Sequence, residues 1–318
     1  MPITTVPSES TTAAGTQYRR AGDRLFSAAS RGAGSLILVA LAGVAGFLLV
    51  ESWPAVTASA EDIPGGQGLA EYVLPLVFGT VVSATLALLI ATPLAVGIAL
   101  FISHYAPRRL AQPLGYLVDL LAAVPSIIFG LWGLTVLAPR MADLSVWLER
   151  WFGFLPFFDG PVSPTGRTML TIGVVLAVMI LPIITAVSRE VFLQTPRLHE
   201  EAALALGATR WEMIRTTVLP FGRSGVISAA MLGLGRALGE TMAVAIILSP
   251  SGGITLNLIG QGNPSTIAAN IALQFPESTG VEVDALIASG LALFVLTLAV
   301  NVVARAIAGR RREFSGAD

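Results

Sequence analysis

The sequence predicts an all-α membrane protein with six transmembrane helices. Three observations carry that prediction. Of 318 residues, 54% are hydrophobic and only 12% are charged, and the mean hydropathy is +0.77, which leaves too little polar surface to cover a water-soluble core. Six apolar runs each approach or exceed the roughly 20 residues needed to cross a bilayer. The arginines, finally, are spread unevenly over the loops between those runs.

Taken in order, residues 1–31 are polar, rich in Ser, Thr and Ala, and carry Arg19, Arg20, Arg24 and Arg31; they read as a mobile cytoplasmic tail. A six-span domain follows over 32–310, with spans at about 33–50, 73–102, 114–138, 168–188, 225–248 and 285–307, and a short tail at 311–318. The second span is long enough to tilt or to project beyond the hydrocarbon. Ala58-Ser59-Ala60 after the first span resembles a signal-peptidase site, but the apolar run before it has the length of a span. Between spans three and four, Leu144, Trp147, Leu148, Trp151 and Phe152 fall at helical spacing. Two readings stand for this outer loop, 139–167: an interfacial helix anchored by its aromatics, or a platform for a partner outside the membrane.

Arginine sets the orientation. The first tail, the 103–113 loop, the 189–224 loop and the C-terminal end together hold 15 of the 19 arginines. Arg140, Arg150 and Arg167 lie in a loop on the other side, and Arg236 lies within a span. By the positive-inside rule both termini and the 189–224 loop are cytoplasmic.

Whole classes of chemistry are excluded. With no cysteine there are no disulfides, thiolate metal sites or Cys nucleophiles. With no lysine there is no Walker A phosphate loop, so any ATP that drives this protein is bound by another chain. His104 and His199 have no metal-ligand spacing and read as solvated loop residues; no nucleophile motif or paired-carboxylate site is visible.

Three segments stand out. The 189–224 loop contains Glu201-Ala202-Ala203, then Gly207, Arg210, Trp211, Ile214 and Leu219-Pro220. This predicts a short helix, a glycine break and a second helical segment stopped by Pro220, an ordered docking surface on the basic side. Span five holds Arg236 and Glu240, one turn apart on one helical face. An ionisable group at that depth faces a partner or an aqueous path, and Gly235 and Gly239 allow a neighbouring helix to approach. Either Arg236 contacts an anionic substrate, with Glu240 neutralising it when the site is empty, or the pair only fixes helix packing. In span three, Pro125 breaks the backbone ladder and Ser126 can satisfy freed groups. Such a break lines a cavity or serves as a packing kink. Asp119, near the start of that span, carries only a weak functional suggestion.

The spacing of Glu201-Ala-Ala, Gly207 and Leu219-Pro220 resembles the signature cytoplasmic loop of ABC-importer permeases. Leu234 to Ala243, Val124 to Gly133 and Ala205 to Trp211 together resemble the PstC family, the C-type permease subunits of phosphate-specific ABC importers, over about residues 30–310. The resemblance implies a type I ABC-importer permease (MetI-like) fold in the plasma (inner) membrane, with no covalent catalysis and no cofactor or metal of its own. ATP and Mg would sit on a partner ATPase. It implies a substrate path through Arg236, Glu240, Thr241 and Ser126, with Pro125 as a kink. It also implies an ATPase-coupling surface of Glu201, Ala202, Ala203, Gly207, Arg210, Trp211, Leu219 and Pro220. The implied partners are a sister permease subunit (PstA-like), an ATPase homodimer (PstB-like) and an extracytoplasmic phosphate-binding protein (PstS-like), with no nucleic acid. Two rivals remain: a permease for another oxyanion, such as sulfate or molybdate, and an ion-coupled secondary transporter, which would show inverted repeats.

Overall fold

The computed structural model describes residues 21–249 and 253–309. The first 20 residues of the expected N-terminal tail and the tail at 311–318 lie outside them. Among the described residues the secondary structure is helical, with no strand. Six helices are long and apolar enough to cross a membrane: Leu25–Thr57, Leu69–Tyr105, Ser126–Phe152, Met169–Leu193, Arg210–Leu238 and Val281–Ala306.

The chain divides into two units, 1–47 and 48–318. In the first, helix α1 (Ala21–Thr57) already starts at Ala21, ahead of the expected boundary at 31. Arg31 therefore sits on a helix, where its Nε donates to the Ser27 carbonyl at 3.1 Å. Leu36, Ile37, Leu38 and Val39 are exposed, as side chains in contact with lipid are.

The second unit is built on helices α2 (Leu69–Leu100), α6 (Met169–Leu193) and α9 (Leu219–Leu238), which pack on one another. α2 presents a stripe of alanines at helical spacing, Ala84, Ala87, Ala91, Ala95 and Ala99, all fully buried. Small residues let helix backbones approach where no hydrophobic force drives association. The larger side chains come from α6: Ile172, Leu176, Met179, Ile180 and Ile184. Gly173 and Gly233 mark two close approaches, since a Cβ on either would lie 2.8 Å from Leu86 or Ile184 respectively.

Three expectations need correction. The expected third span, 114–138, is two helices. α3 (Arg108–Ala122) is not one of the six span-length helices, and the span begins with α4 (Ser126–Trp132) and continues through a π turn at Gly133–Leu137 into α5 (Ala138–Phe152). Pro125 lacks an N–H, disfavours the α conformation in the residue before it, and itself adopts φ −59°, ψ 137°. The aromatic stretch of the expected outer loop is the helix α5, continuous with α4.

Pro220 does not stop the second coupling segment. α8 (Arg210–Met213), a π turn at Ile214–Val218 and α9 form one continuous helix. The wider π turn just before the proline absorbs the ring and the missing donor, the role such bulges play inside helices. The expected fifth span, 225–248, ends at Leu238, and a separate short helix α10 (Met242–Ile247) follows the break.

The two outer segments, expected as loops, are stitched together. The Leu258 N–H donates to the Phe157 carbonyl and the Ser163 N–H to that of Ile259, each at 2.9 Å. Buried Asn263 accepts from the Met169 N–H at 3.2 Å and donates to the Asn257 carbonyl at 3.0 Å. α11 (Ile267–Gln274) and α12 (Val281–Gly309) complete the chain.

Candidate functional site: an unpaired arginine and a coupling loop

The sequence put Arg236 and Glu240 on one helical face; the structure separates them. α9 ends at Leu238, Gly239 leaves the helix at φ −93°, ψ 3°, and Thr241 takes φ −111°, ψ −61°. No ion pair joins the two residues. Glu240, 8% exposed, turns its carboxylate to the following helix instead, where Oε1 accepts the Ala243 N–H at 3.1 Å. It thus caps one of the free donors at the start of α10 and suits the positive end of that helix. The Thr241 hydroxyl donates to the Gly239 carbonyl at 3.2 Å, which holds the break in place.

Among the described residues, Arg236 has no hydrogen-bond partner and no carboxylate at ion-pair distance. Its Nε is buried and unpartnered, and the side chain lines a cavity of about 630 Å³ between α9 and α12. Ser228, Met231, Leu232, Asn301 and Arg305 share that lining. No acid faces the guanidinium there. An unpaired charge inside a span is costly, and the guanidinium fork has the geometry to match the oxygens of an oxyanion. Glu240 is not part of the lining.

The two broken motifs meet. α4 packs on α10, and Gly130 lies against Ala243 and Ile246. The breaks at 123–125 and 239–241 thus flank two short helices in contact. Ser126 is half-buried. The groups freed at Pro125 are met by local backbone turns instead, including Ala123 N–H to Leu120 carbonyl at 3.1 Å.

The 189–224 segment contains an ordered helix–turn–helix. α7 (Arg197–Ala205) carries Glu201, Ala202 and Ala203. It ends in a paired C-cap: Ala208 N–H to Ala203 carbonyl at 3.2 Å and Gly207 N–H to Leu204 carbonyl at 3.0 Å. Gly207 has φ +88°, and no atom lies within 4 Å of where its Cβ would be. The turn, not a close neighbour, is what requires glycine here. Leu206 is 90% exposed and Trp211 54%, so apolar side chains stand out from an otherwise polar segment. Arg210 is exposed, while Leu219 is half-buried.

Sequence reasoning missed three devices. Thr209 and Glu212 form a reciprocal capping box at α8, with Thr209 N–H to Glu212 Oε2 at 2.7 Å; the Thr-x-x-Glu spacing was its signal. Arg167 reaches the C-terminal carbonyls of α10, with Nε to Ile247 at 2.9 Å. Nothing in the sequence connects residues 80 positions apart. His104, expected to be solvated, is mostly buried: its Nε2 lies 3.5 Å from Glu200 of α7 and its Nδ1 2.7 Å from Ser103 Oγ.

The family model described as binding-protein-dependent transport system inner membrane component matches residues 91–313. The chain belongs to that family: it is a multi-pass inner-membrane transport subunit, not an enzyme, and it works with a binding protein and a separate ATPase.

Among named relatives, the Mycobacterium tuberculosis phosphate transport system permease protein PstC 2 is 52% identical over 302 residues, covering 91% of this chain and 93% of the relative. Phosphate transport system permease protein PstC of Mycobacterium leprae is 50% identical, covering 94% and 97%. A crystal structure of a bacterial alginate ABC transporter with its alginate pentasaccharide-bound periplasmic protein superposes with a TM-score of 0.55 at 17% identity, over 76% of this chain and 79% of that one. That likeness bears on the fold alone, which is that of ABC-importer permeases.

Proposed function

We propose that this chain is the permease subunit of an ATP-driven importer of inorganic phosphate. The observation that carries the reading is Arg236, a guanidinium with no acid partner that lines a cavity within a span, in a chain whose relatives are named phosphate permeases. A phosphate dianion supplies the oxygens and the charge the arginine lacks. Ser228, Asn301 and Arg305 extend the same wall. Glu240, Thr241, Ser126 and Pro125 act differently from Arg236. They set the two helix breaks, and so the places where α4 and α10 move as the cavity opens to one side or the other.

The partners are a PstA-like sister permease, a PstB-like ATPase homodimer that holds ATP and Mg, and a PstS-like phosphate-binding protein outside. Both termini and α7 face the cytoplasm, on the side that holds most of the arginines. The surface of Glu201, Ala202, Ala203, Arg210 and Trp211, with exposed Leu206, docks on the ATPase. Because α8 runs unbroken into α9, movement at that surface is carried along one helix toward Arg236.

The test is labelled phosphate uptake by the reconstituted complex, with sulfate and molybdate as competitors. Arg236→Gln abolishes uptake at unchanged complex yield, and Arg236→Lys restores part of it, because an ammonium lacks the planar fork. Uptake at the native rate by Arg236→Gln removes the arginine from the path. Equal competition by sulfate or molybdate moves the assignment to another oxyanion.

A further inference from the structure

A second cavity, of about 570 Å³, lies between the end of α2, α3, the last turn of α6 and the start of α7. Its wall is cationic and hydroxyl-rich: Arg189, Arg197, Ser103, Thr195, Gln112 and Tyr116 all contribute. The one acid in the lining, Glu200, is engaged by His104 at 3.5 Å. Among the described residues, Arg189 and Arg197 have no carboxylate within ion-pairing distance.

Arg189 is recessed, with its guanidinium in the space that a Cβ on Gly115 would fill. Its Nε is buried without a hydrogen-bond partner, and so is the hydroxyl of Thr195, a residue 4% exposed. A fold that holds a recessed guanidinium without an acid leaves an uncompensated charge. Buried donors without partners point to a group that the chain itself does not supply.

We infer that this cavity is a second anion site, on the coupling-loop side, and that it takes a phosphate-class oxyanion between Arg189 and Arg197. The oxyanion is either free phosphate or the headgroup phosphate of an anionic lipid. Tetrahedral oxygens accept from two guanidinium forks, and the unpartnered Thr195 hydroxyl adds a further donor. Arg189 belongs to α6 and Arg197 to the first turn of α7, so a bound anion ties the coupling helix to a transmembrane helix. The His104–Glu200 contact makes a second tie, from the same helix to the end of α2. This site is separate from the Arg236 cavity and does not depend on the transport reading.

The chain has no cysteine, so Gln112→Cys, at an exposed position on the cavity wall, serves as a reporter in the assembled complex. Its reaction with a charged maleimide is followed on this chain in nanodiscs of phosphatidylcholine alone, with inorganic phosphate added. At a phosphate concentration ten times the dissociation constant the reaction slows about tenfold, because the free fraction falls to about one-eleventh. The slowing is lost with Arg189→Gln and with Arg197→Gln; the second variant is on an exposed residue and leaves the fold intact. Arg236→Gln leaves the slowing unchanged, which separates this site from the translocation cavity. If phosphate has no effect but phosphatidylglycerol slows the reaction, and both arginine variants cancel that slowing, the oxyanion is a lipid headgroup. The site is overturned if neither source protects, if protection survives both variants, or if Arg236→Gln abolishes it.

Discussion

Gly130 of α4 rests on the backbone of Ala243 of α10, so closely that a Cβ on Gly130 would lie 3.0 Å from the Ala243 Cα and 3.2 Å from Ile246 Cδ1. Two motifs more than 100 residues apart are thereby joined through a glycine. Gly130→Ala forces a shift of a few tenths of an ångström against a backbone atom and lowers stability modestly. Gly130→Val overpacks the contact and costs about 1–3 kcal/mol. Thermal unfolding of the purified complex measures both; a valine variant as stable as the native protein shows that the two helices do not pack this way.

Arg167 closes the C-terminal end of α10 through the carbonyls of Ile246, Ile247 and Leu248. Charged hydrogen bonds of this kind contribute about 1.5–3 kcal/mol. Arg167→Gln lowers the melting temperature and reduces uptake by letting α10 move, with no change in anion selectivity. A selectivity change at native stability would make Arg167 a substrate contact instead.

At Gly207 the constraint is φ +88° with open space around the missing Cβ. Gly207→Asn keeps most ATPase association and uptake, because asparagine tolerates the left-handed region. Gly207→Val loses both, since that conformation costs a residue with a Cβ about 1–2 kcal/mol and a β-branched one more. Co-purification of the ATPase together with uptake reads the series. Equal loss with Asn and Val would point to a contact surface rather than to the turn.

Arg236 and Glu240 do not form a pair, so their substitutions act independently. In a double-mutant cycle of Arg236→Gln and Glu240→Gln, stabilities add to within about 0.5 kcal/mol. Glu240→Gln retains the cap on Ala243 through its amide oxygen, whereas Glu240→Ala loses it and is the less stable of the two. Coupling well above that figure would restore the ion pair.

Orientation is read by single cysteines in this Cys-free chain. An impermeant reagent outside intact cells labels Gln67→Cys and Glu277→Cys. It reaches Leu206→Cys, at the most exposed apolar residue of the coupling loop, only after the membrane is opened. External labelling at position 206 would invert the topology.

How far the fold was legible depended on range. The apolar runs of α2, α6 and α12 announce themselves because each is continuous and long enough to span by itself. The expected third span was not legible as two helices, since 114–138 is apolar enough to read as one run and the backbone effect of Pro125 outweighs hydropathy. Pro220 misled in the opposite direction: a π turn four residues upstream absorbed it, and nothing local in the sequence announces that turn. The site divides along the same line. The Gly207 turn and the Thr209–Glu212 box rest on residues three to five apart and can be read from spacing alone. Arg236 was legible as a charge within a span, but its lack of a partner was not, because helical spacing alone gives it Glu240.

The sequence by itself determined that this is a polytopic helical membrane protein, with its arginines concentrated in a few connecting segments and an ordered helix–glycine–helix segment among them. Those properties follow from the transfer energy of side chains and from local backbone preferences, which each residue carries wherever it lies. The tertiary structure alone decided that α9 breaks after Leu238, that Glu240 caps α10 while Arg236 stays unpaired over a cavity, and that Arg167 secures the far end of α10. Each of these is a choice among partners of similar local energy. It is settled by which helices come close enough to exclude the alternatives, and that closeness depends on residues far apart in the chain, such as the alanines of α2 and Gly130 of α4.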